Sequence, residues 1–284
     1  MLKNQQLLFI ITIGWSLVGT NSINAQSTIR VTSVNKQPIN HSWPAPSKTQ
    51  QSSTNRIDHQ PTINPITQVS FTPPPKEGKP DKTTGAGSRQ DGQCPQDLTQ
   101  FTTPDTSSSK LSLAALVPNS NYGLTGAERP TFLVYLPKTS AKQIVLSIKE
   151  EGIKHYSQTF LPITQSAGII KIKPSDDTPP LQVNKNYQWA VVLVCGERPG
   201  PNDPMIASWV RRVDLPNSTS QQLAEKTPLM QAAWYGNQGI WYDSLVALAQ
   251  ARQVQSHQYS MTQIWANFLT SVGLESFSNE KLQF

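Results

Sequence analysis

Two cysteines, Cys94 and Cys195, are the only thiols in the chain, and the second closes its most strand-like stretch. In an oxidising compartment two such thiols have only each other as partners, so the sequence predicts a Cys94–Cys195 disulfide. That bond would close a loop of about 100 residues, for which the chain-entropy model gives on the order of 4.7 kcal/mol. With no neighbouring histidine, the pair lacks the spacing of a metal site.

The first residues supply the compartment. Lys3 gives a short positive start, an apolar run from Leu7 to Val18 is broken only by Thr12, Gly14 and Ser16, and Ala25 closes a small polar segment. Residues 1–25 therefore read as a secretory signal, with the mature chain beginning at Gln26. The apolar run is well short of the roughly 20 residues that a membrane-spanning helix needs, and no later stretch comes close. The expectation is an exported chain of the periplasm, extracellular space or cell envelope, with no transmembrane helix in its mature form.

Composition changes at Cys94. Residues 26–93 are rich in Pro, Ser, Thr, Asn and Gln, show no lasting period of 2 or 3.6, and read as a disordered linker. This tether carries eight Lys or Arg against four Asp or Glu, whereas residues 94–284 carry fifteen against fourteen. The overall pI of about 9.3 therefore describes mainly the tether. A flexible basic tether suits spacing and solubility, or contact with anionic glycans. It has neither adjacent basic residues nor interleaved aromatics, so nucleic acid is excluded as a partner.

Beyond Cys94 short alternating strands are separated by turn formers, the pattern of an all-β sandwich. Candidates are Leu111–Val117, Thr131–Leu136, Gln143–Glu150, Lys154–Phe160, Gly168–Lys173, Tyr187–Cys195 and Ile206–Val213, the immunoglobulin-like number. In the sixth, Tyr187, Trp189, Val191 and Leu193 share one face, and Ala190, Val192 and Val194 make the other apolar too. Such a strand should be central and buried on both sides. Leu181 before Tyr187 resembles the corner of immunoglobulin-like and fibronectin-like sandwiches, where a tyrosine hydroxyl bonds to the upstream backbone.

After Leu215 the period becomes helical. Asn217 or Ser218 caps a segment through Lys226, Thr227-Pro228 opens a second from Leu229 to Gly236, a third follows from Ile240 to Val254, and a fourth runs from Ser260 to Val272. The stretch from Ala232 to Gln250 resembles one tetratricopeptide unit with Gly239 at its turn. One unit cannot build a peptide-binding superhelix, so its expected role is packing. The layout is a signal (1–25), a linker (26–93), an immunoglobulin- or fibronectin-like β-sandwich (94–215) and a small helical segment (216–284).

Several stretches in order carry a family likeness: FTPPP (Phe71 to Pro75), Cys94-Pro95, LAALVP (Leu113 to Pro118), YGLTGAERPTFLVYLP (Tyr122 to Pro137), the Tyr187 to Cys195 strand, WVRRV (Trp209 to Val213), GIWYDSLVALA (Gly239 to Ala249) and SVGLE (Ser271 to Glu275). Together they resemble the secreted cyanobacterial family called domain of unknown function 928. The resemblance implies an exported protein with a β-rich part followed by helices, and it brings no activity or site residues with it.

Chemistry has few candidates. Glu128 and Arg129 sit beside a turn glycine and suit either a structural ion pair or a small anion or carbohydrate contact. Trp209 and Arg211 share one strand face and offer a similar choice. Trp241, Tyr242 and Asp243, with Trp234 and Tyr235 upstream, form the densest aromatic cluster, suited to a helix core or to cradling a sugar ring. No histidine has a partner at ligand spacing, and the fingerprints of serine hydrolases, zinc proteases, phosphate loops and dinucleotide sites are missing. No cofactor or metal is expected. The sequence supports a non-enzymatic binding or scaffolding protein that acts through protein contacts at its helical end or at a sandwich edge, with an envelope glycan-binding module or glycan-acting enzyme as the alternative. The expected partner is accordingly an envelope protein or an anionic glycan. A concave site holding Glu128, Arg129 or Trp241 would favour that alternative.

Overall fold

Alternating apolar residues become eight strands in the computed structural model, which describes residues 68–75, 80, 93–100, 111–154, 156–255 and 258–284. These residues fall in one unit, Pro61–Phe284. The other unit, Met1–Gln60, lies outside them, as do the signal stretch, most of the tether and all four histidines.

The strands are β1 (Ala114–Ala115), β2 (Tyr122–Thr125), β3 (Phe132–Leu136), β4 (Gln143–Glu150), β5 (Tyr156–Pro162), β6 (Gly168–Ile172), β7 (Asn186–Val194) and β8 (Met205–Arg212). They form a three-stranded sheet in the order β1-β3-β6 and a five-stranded sheet in the order β2-β8-β7-β4-β5. All pairings are antiparallel except β2 with β8, which is parallel. The sheets meet where Phe132 of β3 stacks on Trp189 of β7, ring centroids 4.3 Å apart. Both rings are fully buried.

Strand β7 is central, between β4 and β8, as its apolar character requires. Its inward residues Trp189, Val191 and Leu193 are fully buried, but Ala190 and Val192 on the opposite face are only half-buried. The expectation of burial on both sides is therefore corrected for this sheet. The additional cover lies over the other sheet, where Leu133 and Tyr135 on the outer face of β3 are buried and Tyr135 packs on Phe277.

Two strand readings also change. The expected strand Leu111–Val117 shrinks to Ala114–Ala115, because Val117 N–H turns back to the Ala115 carbonyl at 3.0 Å. Strand β2 was not anticipated; its four residues contain Gly123 and pair with a distant partner, which gives the sequence little alternation to display. The corner expected at Tyr187 is present: Gln182 N–H donates to the Tyr187 hydroxyl at 3.0 Å.

Cys94 and Cys195 are bonded, with Cα atoms 5.4 Å apart, which ties the start of α1 (Pro95–Gln100) to the end of β7. Buried Asp97 on α1 accepts from the Thr139 hydroxyl at 2.7 Å and from Ser140 N–H at 2.8 Å. A buried carboxylate held by two donors is the arrangement that makes such burial tolerable.

Four further helices follow: α2 (Asn217–Ala224), α3 (Pro228–Asn237), α4 (Trp241–Val254) and α5 (Tyr259–Thr270). Thr227 caps α3 by accepting from Met230 N–H, and Pro228 takes the first-turn position where its missing N–H is harmless. Gly239, at φ +71°, makes the turn into α4. These helices are not an appendix, since Trp241, Leu245, Leu248, Trp265 and Phe268 belong to the same hydrophobic core as the strands.

Residues 68–75, within the stretch read as linker, pack on the helices. Val69 is buried, Phe71 meets Trp241 edge-on at 4.9 Å, and Thr72 N–H donates to the Gly236 carbonyl at 3.0 Å. Gly236 is a glycine for a reason: a Cβ there would lie 2.4 Å from the Ser70 carbonyl oxygen.

Candidate functional site

Helix α4 begins against the strands, and its first turn divides into a core side and a cleft side. Trp241 is fully buried and donates its indole N–H to the Leu116 carbonyl at 3.0 Å. Tyr242 is buried between the sheets, edge-on to Phe132 at 5.2 Å, and its hydroxyl receives the Trp189 indole N–H at 2.8 Å and donates to the Trp209 carbonyl at 2.9 Å. Burial pushes that phenol well above its ordinary pKa. The close approach needs Gly123, where a Cβ would stand 2.9 Å from the Tyr242 ring.

Asp243 turns the other way, into a cleft of about 290 Å³ between the rim of the β1-β3-β6 sheet and helices α3 and α4. Its carboxylate accepts from Gly126 N–H at 3.1 Å and from the Thr125 side chain, yet burial dominates and raises its pKa. Tyr235 stands beside it, its phenol raised by burial and then by the Asp243 charge. Across the cleft Arg129 and Lys173 come from the sheet side, with Gln231 and Gln250 from the helices. The Arg129 Nε donates to the Thr178 carbonyl at 3.0 Å, so a backbone group fixes the side chain's stem.

Of the residues singled out from the sequence, Arg129 and Asp243 come together here. Glu128 does not: it points away and pairs with Arg212 at 3.0 Å, and Arg212 also donates to the Leu181 carbonyl. Trp241 and Tyr242 are buried in the core, which favours the helix-core reading of this cluster over the sugar cradle for them, although Tyr242 also borders the cleft. Trp209 and Arg211 lie on the β8 face turned from the core, apart from the cleft. Tyr235, named from the sequence as part of the aromatic cluster, joins Arg129 and Asp243 in the cleft, whereas Gln231, Gln250 and Lys173 were not assigned to a site from the sequence. A signal existed, since Gln231 and Tyr235 are spaced by four and Asp243, Ala247 and Gln250 by four and then three, which is one helix face beside the packing stripe.

The lining of the cleft is chemically mixed. It offers hydroxyl, amide, phenol, cationic and carboxyl groups over a small apolar floor of Ala127, Val246 and Ala247. Hydrolysis of a glycosidic bond ordinarily uses two carboxyl groups facing each other, and Asp243 is the one carboxylate lining this cleft. Among the described residues no group of three or more His, Cys, Asp or Glu side chains is arranged to hold a metal ion. No helix among them is long and apolar enough to cross a membrane.

Two β-sheets, covered on one side by helices and carrying a polar cleft at that junction, with a disulfide tying α1 to the end of β7, define a mainly β protein with a helical layer. The chain belongs to the family Domain of Unknown Function (DUF928), whose model matches residues 84–282. No curated protein matches it. A solved structure that it resembles is the fn3 domain of the human collagen alpha-1(XX) chain, at 15% identity, with 39% of this chain and 89% of that one covered and a TM-score of 0.23.

Proposed function

We propose that this protein is an exported, non-enzymatic module of the cell envelope that binds a hydroxyl-rich ligand, a glycan unit, in the cleft between the β1-β3-β6 sheet and α3–α4. The observation that carries the reading is the convergence of Arg129, Asp243 and Tyr235 on one concave surface. Sugar recognition needs such a mixture: acceptors and donors for hydroxyls, with an aromatic wall for the ring. A volume of about 290 Å³ suits one sugar ring or the end of a chain. The single lining carboxylate supports binding over hydrolysis.

The disulfide and the sequence of residues 1–25 support export, and the family likeness supports a cyanobacterial, secreted setting. Helices α3 and α4, a single tetratricopeptide-like unit, serve on this reading as a wall of the cleft. The two sheets support an immunoglobulin-like sandwich in which β2 joins the second sheet beside β8. The test is binding to immobilised envelope polysaccharide by the wild-type chain and by Val246→Trp, which fills the cleft. Retention of the wild type and loss by the variant supports the reading; equal retention of both places binding elsewhere.

One observation favours a second reading, protein contact at a sandwich edge. Phe160 is 51% exposed on β5, which among the described residues pairs only with β4. Unpaired edge strands carrying exposed apolar groups are common sites of strand addition.

A further inference from the structure

We infer that the ligand of the cleft is an anionic sugar, its negative group docked against Arg129 and Lys173 and its hydroxyls turned toward Asp243 and the helix amides; this rests on the glycan-binding reading above. Two cations elsewhere on the molecule are paired with carboxylates: Arg212 with Glu128 at 3.0 Å and Lys185 with Glu150 at 2.7 Å. Among the described residues neither Arg129 nor Lys173 has a carboxylate partner, although both face the same cleft.

Arg129 is also held in position without a counter-ion. Its Nε is spent on the Thr178 carbonyl. Thr178 is itself buried, and its hydroxyl lies 3.1 Å from that of Ser175 and 3.4 Å from that of Thr159. The network fixes the stem and leaves the guanidinium end for the cleft, the arrangement that suits planar recognition of a carboxylate. Lys173 is exposed and adds a second positive charge from the adjoining strand end.

Asp243, which lines the same cleft, disfavours such a group. Its carboxyl accepts from the Gly126 N–H and the Thr125 side chain, and an anion placed against it would meet a second acidic group. Hydroxyls donate to it instead. The two cations and Asp243 together select a ligand that carries both a negative group and hydroxyls, as a uronic acid unit does.

The experiment titrates the full-length chain with glucuronate, glucose and acetate and follows backbone amide shifts by NMR. Glucuronate is expected to shift amides around Thr125–Thr131 and Gln231–Tyr235, and to bind about tenfold or more tighter than glucose or acetate, a ratio in line with a charge-assisted contact. Arg129→Gln and Lys173→Gln should each erase most of that preference while leaving the remaining spectrum in place. Glucose matching glucuronate, or acetate matching it, overturns the anionic-sugar inference and leaves the cleft's general role standing. None of the three shifting the cleft overturns both.

Discussion

The Trp189 indole donates to the Tyr242 hydroxyl across 2.8 Å, joining the central strand β7 to the first turn of helix α4. Because the same hydroxyl donates onward to the Trp209 carbonyl, one side chain satisfies polar groups of β7 and β8 inside an apolar core. Helix and sheets are thereby one structure, and the cleft at their junction has fixed walls.

Tyr242→Phe removes that hydroxyl and leaves the Trp189 N–H and the Trp209 carbonyl without their partner. An unsatisfied buried group costs about 1–3 kcal/mol, so the variant should lose about 2–4 kcal/mol. Denaturant unfolding of both chains measures it, and a loss under about 0.5 kcal/mol would contradict the bond's role.

Asp243 carries a pH signature. Its folded-state pKa lies above the unfolded value, so its contribution to stability is complete below about pH 3.9 and declines as pH rises through the folded value. Asparagine can still accept from Gly126 N–H and carries no charge to bury. Asp243→Asn should therefore gain stability relative to the wild type as pH rises across that window, measured by unfolding at a series of pH values. A constant difference between the two chains would show that the carboxyl is not burdened by burial.

Gly236 separates two forces. Helix propensity alone predicts that Ala in place of this glycine, in the last turn of α3, stabilises by at most about 1 kcal/mol. The packed segment predicts the reverse, since the new methyl would stand 2.4 Å from the Ser70 carbonyl oxygen. Gly236→Ala should accelerate proteolysis near residues 68–75 and speed exchange of the Thr72 amide, and a variant that is simply more stable would show that this segment is not held there.

Reduction of Cys94–Cys195 should lower stability by about 2–4 kcal/mol, read from unfolding with and without reductant. Non-reducing peptide mapping should recover the two cysteines in one linked fragment. Two alkylatable thiols in the exported chain would contradict both the pairing and the compartment it implies.

How far the sequence reaches depends on the range of the interaction. Strand β4 was read with both ends correct because Ile144, Leu146 and Ile148 alternate toward the core, and α3 because Thr227-Pro228 is a local start signal. The parallel pairing of β2 with β8 leaves no local mark, since its register joins Tyr122 to Trp209. Phe71 carries no period to reveal it, and its place is set by Trp241 far along the chain. In the aromatic cluster the sequence found the right neighbourhood. Only the packing showed that Trp241 and Tyr242 fill the core while Asp243 one position on faces the cleft. Arg129 and Asp243 meet because a strand entry and a helix start are folded together, which no spacing encodes.

Native-state hydrogen exchange of the intact, oxidised chain tests most directly whether helices and sheets form one fold with a preformed cleft. The Trp189 indole N–H, the amides of β7 and the central amides of α4 should open with the same free energy and the same denaturant dependence. Exchange of the α4 amides at a much lower free energy, with β7 still protected, would mean a separable helical tail and would remove the wall on which the binding site depends.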